Sequence, residues 1–104
     1  MTFKLVYFVP EDARDPTREA CFAAGAGRIG AYERCSWYTL GTGTFLAGEG
    51  AAPAVGGVGE EERVQEYRVE MVVPEESLQP VLEALRHAHP YEEPAFDVIP
   101  LHAP

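Results

Sequence analysis

Only two cysteines, one lysine and no long hydrophobic run occur in this chain of 104 residues. Cys21 and Cys35 do not form a CxxC pair, which argues against a zinc site built on thiolates. Packing thiols in a reduced, cytoplasmic protein are the expectation. The longest apolar stretches fall well short of the ~20 residues a membrane helix needs, and the N-terminus has no signal-peptide pattern. Positive charge is also scarce. Lys4 and seven arginines are dispersed against 17 acidic residues, giving a net charge of −9. Residues 53–104 alone carry eleven acidic and three basic side chains. Such a surface repels phosphate backbones, so nucleic acid is excluded as a partner class.

The apolar residues present are strongly patterned. Residues 2–9 read as a strand with Phe3, Leu5, Tyr7 and Val9 on one face and Val6 and Phe8 on the other. Asp15 is a candidate helix cap and Pro16 a first helical position, with Gly25 and Gly27 ending that helix. The pattern then returns at an offset of 64 residues. Val9-Pro10-Glu11 matches Val73-Pro74-Glu75, Pro16 matches Pro80, and Glu19-Ala20 matches Glu83-Ala84. Tyr67, Val69, Met71 and Val73 alternate with charged residues, and Leu78, Val81, Leu82 and Leu85 share a helical stripe.

Strands are expected after each helix, at 32–40 and 95–101. Gly41-Thr42-Gly43-Thr44-Phe45 reads as a hairpin turn into a short extra strand. Residues 47–59, nearly all Gly, Ala, Pro and Val, read as a long flexible loop. The whole chain, 1–104, is then one α+β domain with a ferredoxin-like split βαβ topology. Its antiparallel sheet is backed by two helices on one face. Because helices cover only one face, the apolar groups on the other predict self-association with cyclic symmetry.

Four motifs occur in series: Ala24-Gly25-Ala26-Gly27-Arg28-Ile29-Gly30, Cys35-Ser36-Trp37, residues 41–45, and His89-Pro90-Tyr91-Glu92-Glu93-Pro94-Ala95. From Lys4 to Leu101 the chain resembles the domain inserted in YqfO-type members of the NIF-three-like family, the GTP cyclohydrolase I type 2 homologues. The resemblance implies a stand-alone fold akin to PII signalling proteins and CutA divalent-ion tolerance proteins, both trimeric. CutA proteins share the His-Pro-Tyr-Glu element found here at His89 to Glu92. The two-metal body of the full-length family is absent from this sequence, so neither metal-dependent hydrolysis nor cyclohydrolase chemistry carries over.

Three sets of residues are candidates for function. Arg28 with Gly41, Thr42, Gly43 and Thr44 forms an anion or small-molecule site through backbone N–H groups and one guanidinium. His89, Glu92 and Glu93 form a divalent-cation site, with His87 and His102 as further ligands; the same corner reads otherwise as a helix end and a rigid proline turn. Trp37, Tyr38 and Tyr91 form a subunit contact. The reading that joins these is a non-catalytic, oligomeric regulatory or ligand-sensing module, a homotrimer with a ligand in an inter-subunit cleft. Its alternative is a CutA-like divalent-cation binder, and a NIF-three-like enzyme bound in trans is a third partner class. No cofactor is expected beyond that metal ion.

Overall fold

A computed structural model describes residues 1–52 and 56–102 of the chain. The elements run β1 (Thr2–Val9), α1 (Glu11–Ala23), β2 (Trp37–Leu46), β3 (Glu61–Pro74), a 3-10 turn (Glu75–Ser77) leading into α2 (Leu78–Ala88), and β4 (Phe96–Leu101). The sheet order is β2-β3-β1-β4, with every neighbouring pair antiparallel. This is the ferredoxin-like split βαβ fold. The 64-residue repeat is visible in it, since residues 2–9 and 66–73 are the two central strands and Pro10 and Pro74 occupy equivalent extended positions before the helices.

Alternation along the strands sorts the side chains by face. Leu5, Tyr7 and Val9 of β1 and Val69, Met71 and Val73 of β3 are buried against Cys21 and Phe22 of α1 and Val81, Leu82 and Leu85 of α2. Each fully buried Leu or Val contributes roughly 1.5–3 kcal/mol through removal from water. Burial also pushes the Cys21 thiol up to about 12, which leaves it a packing group.

Three local expectations need correction. Helix α1 starts at Glu11, so Asp15 and Pro16 lie inside it. The extended Pro10 stops β1, and the Ala13 N–H bonds the Pro10 carbonyl to open the first turn. The strand predicted at 32–40 begins only at Trp37, because Ile29 and Tyr32 exchange two backbone bonds and close a tight turn. Finally, residues 41–45 do not turn. They continue β2, paired from Gly41 with Glu66 to Phe45 with Glu62, and neither Gly41 nor Gly43 has a positive φ. A Gly-Thr alternation resembles turn chemistry, but with β3 beside it the alternation is a strand pattern.

One consequence shapes the molecule. Residues 61–66 of β3 pair with β2 but lie beyond the last β1 partner, so β2 and β3 extend as a two-stranded arm. The described chain is accordingly elongated, 46 × 24 × 24 Å. At the tip, Ala47 and Val58 form an isolated bridge and the Gly59 N–H bonds the Ala47 carbonyl, closing the base of the loop. Of that loop, residues 53–55 lie outside the described residues.

Candidate functional site

The site begins with how α2 ends. The His89 N–H bonds the Leu85 carbonyl, His89 itself turns extended, and Pro90 forbids another helical turn. The imidazole folds under the corner and is buried. Its Nδ1 accepts the Tyr91 N–H at 3.1 Å, which assigns the ring proton to Nε2, and Nε2 donates to the Phe8 carbonyl at 2.6 Å. Phe8 lies one residue past the last β1–β4 pair, Tyr7 with Phe96, so His89 ties the corner to the strand where β4 has not yet begun. Burial holds its pKa below 6.5, opposed in part by the Phe8 bond.

With His89 beneath, Tyr91 is set on the open sheet face. Its ring packs on the imidazole at 4.8 Å between centroids, and its hydroxyl makes a long contact, 3.5 Å, to Glu66 Oε2. Glu66 lies across the strand from β2, over Gly43. A Cβ at Gly43 would collide with the Glu66 carboxylate, so the missing side chain is a notch that lets the carboxylate lie down. Burial raises the Glu66 pKa, and the Tyr91 hydrogen bond counters that rise only in part. Glu92 Oε1 accepts the Ala52 N–H at 3.4 Å, linking the corner to the loop at the tip of the arm.

Together these pieces surround a cleft of about 360 Å³. Phe8, Phe45, Val64 and Ala47 form its apolar walls, and Glu66, Tyr91, Glu92 and Glu93 supply its polar groups. Among the described residues no basic side chain lines it. An apolar concavity with a few polar groups at one side is the usual form of a small-molecule site.

The sequence-derived candidates distribute unevenly over this geometry. Gly43, Thr44, Glu92 and Glu93 line the cleft, as does Tyr91. Arg28 does not approach it. The adjacent Gly27 bonds the Val72 carbonyl, whereas Gly43 pairs with Val64, eight residues or roughly 26 Å along β3. Within β2 the N–H groups of residues 41–44 point alternately to opposite edges and do not converge on one anion. His89 lies under the cleft with both ring nitrogens engaged, while His87 and His102 are exposed. Among the described residues no three His, Cys, Asp or Glu side chains are grouped to hold a metal ion.

The three assembly candidates separate as well. Trp37 is on the open face opposite Glu70 and 57% exposed. Tyr38 is on the helix side, edge-on to Tyr67 and under the guanidinium groups of Arg14 and Arg18. Reasoning from the chain alone missed Glu66, Phe8 and Val64. Only cross-strand register places them beside the 89–94 corner, and that register is not written in any local spacing.

Fold and site define a class: a ferredoxin-like domain, alike in fold to CutA and PII-like proteins, with a cleft on its open face. The CutA periplasmic divalent cation tolerance protein of Archaeoglobus fulgidus superposes over all of this chain and 87% of its own, with a TM-score of 0.72 at 15% identity, a likeness of fold. Closer relationship lies elsewhere. The Mycobacterium tuberculosis protein named GTP cyclohydrolase 1 type 2 homolog is 54% identical over 101 residues, 97% of this chain and 27% of that protein. The structure of a Bacillus cereus protein related to NIF3 matches with a TM-score of 0.86 and 42% identity, over 98% of this chain and 26% of the other. No family model matches the chain. The chain is thus a homologue of one segment of the NIF3-like GTP cyclohydrolase 1 type 2 homologs, and it spans about a quarter of their length.

Proposed function

We propose that the domain is a non-catalytic binding module that works as a homo-oligomer, a trimer, with the cleft under Tyr91 as its ligand site close to a subunit boundary. The observation that carries this reading is the position of the cleft. It opens on the sheet face the helices leave bare, next to the projecting arm, and on that face Trp37 and Ile99 remain 57% and 43% exposed. Soluble proteins cover such groups with a partner, and a copy of the same chain is the commonest one. Binding without chemistry fits the polar groups available, because the one imidazole near the cleft is committed to two backbone groups. A cytoplasmic, reducing setting fits the free thiols of Cys21 and Cys35.

The homologous segment is about a quarter of each longer relative, so the module is proposed to serve the remaining body of such a protein, in the same chain or in trans. Ligand occupancy would be transmitted through the Glu92–Ala52 link to the loop at the tip of the arm. Fragment screening by amide chemical shifts tests the site. Ligands that move the Gly43, Val64 and Tyr91 amides support it; ligands that bind only around α1 and leave those amides unmoved sink it.

A further inference from the structure

The cleft has one feature that its role as a generic pocket does not explain. Glu66 is a carboxylate drawn into a partly desolvated position, between the Gly43 notch and the Tyr91 hydroxyl, and among the described residues it forms no ion pair. The contrast with its neighbour on the same face is informative. Glu70, two turns of the pleat along β3, is bracketed by Lys4 at 3.4 Å and Arg68 at 3.0 Å. The arginine nearest to Glu66 along the strand is thus engaged at Glu70. A partly buried anion without a cation is unfavourable, and a bound cation relieves it.

The walls say what kind of cation fits. A bare metal ion calls for several converging ligands, and no such group exists among the described residues. Phe8, Phe45 and Val64 instead offer apolar surface, and the Phe8 ring already has the Arg68 guanidinium 5.9 Å from its centroid, the kind of organic cation such a ring attracts. Glu92 and Glu93 at the rim add negative potential. A volume of about 360 Å³ accommodates a small molecule. Resting on the ligand-site reading above, we infer that the cleft takes a small organic cation, with a guanidinium or ammonium head on Glu66 and an apolar stem against Phe8 and Val64.

The test uses n-butylguanidinium and its uncharged isostere n-butylurea, each titrated into the 15N-labelled protein at pH 7.5. The guanidinium is expected to shift the Gly43, Val64 and Tyr91 amides saturably and to bind at least about tenfold more tightly than the urea, the lower end of what a hydrogen bond to a charged group contributes. High salt should weaken it. Glu66→Gln keeps the shape and the Tyr91 contact but removes the charge, and should erase the preference for the cation. Its thermal midpoint should be unchanged or raised, since burial already disfavours the carboxylate, and this separates lost binding from lost fold. Gly43→Ala should displace the Glu66 side-chain end and weaken the cation similarly. Equal binding of both probes at these amides overturns the cation inference and leaves the ligand site standing. Shifts elsewhere, or none, overturn both.

Discussion

Replacing His89 with alanine is expected to lower the unfolding free energy by roughly 3–4 kcal/mol, a large share of the 5–15 kcal/mol typical of a domain this size. Two effects add. The side chain is 6% exposed, so its loss leaves a hole beneath the corner, and it strands the Phe8 carbonyl and the Tyr91 N–H that the ring now satisfies. His89→Gln should recover part of the loss, because an amide can serve one of the two groups. The same geometry gives a pH dependence. Protonating Nδ1 destroys the acceptor for Tyr91, and burial already holds the pKa below 6.5. Between that folded value and 6.5 the unfolded chain binds more protons, so the His89 contribution is complete above pH 6.5 and is lost as pH falls below it. Asp15, held low by Arg14 and Arg18, and Glu19, held low by Arg34, give up their stabilisation only at lower pH. Denaturant unfolding at pH 7.5 and 5.5 checks both points. Wild type should weaken between the two, and His89→Gln should lose that difference; an unchanged slope in the variant would remove the latch from the corner.

The second large effect is expected at Thr17. The Tyr7 hydroxyl and Thr17 Oγ1 are 2.9 Å apart in the core, and Thr17 passes its own proton to a carbonyl of α1, Ala13 at 2.8 Å or Arg14 at 2.9 Å. Because the Thr17 proton goes to that carbonyl, Thr17 Oγ1 accepts from the Tyr7 hydroxyl, which burial keeps protonated. Thr17→Val keeps the volume but leaves that hydroxyl with no partner in a dry site, at about 1–3 kcal/mol. Tyr7→Phe removes the hydroxyl instead, and Thr17 still reaches α1, so the loss should be about 1 kcal/mol or less. The double variant should be more stable than Thr17→Val alone. Urea midpoints decide it: a Tyr7→Phe variant as unstable as Thr17→Val would mean that the pair is not the donor chain described.

How these sites became visible differs from one to the next. The Val-Pro-Glu repeat and the two helical stripes are local patterns, and they carried the topology because each half of the fold is one copy of the pattern. The start of α1 is hidden in the sequence because Asp15-Pro16 is a capping signal that Pro10 pre-empts five residues earlier. The strand at 41–45 is hidden too, because Gly and Thr suit a turn when read alone and an edge strand when β3 lies beside them. The 89–94 corner stood out by composition, yet its chemistry did not. Whether His89 points to solvent or to the Phe8 carbonyl depends on a residue 81 positions away. Glu66 looked like one more solvent-facing charge on β3, and only the notch at Gly43 distinguishes it.

Light scattering on the purified chain, run behind a size-exclusion column over a range of concentrations, bears most directly on the oligomeric binding module proposed for this domain. A trimer gives a molar mass about three times the 11.4 kDa of one chain, stable on dilution. A single species at 11.4 kDa at every concentration would mean that Trp37, Ile99 and the arm are tolerated in water, and would contradict the proposal.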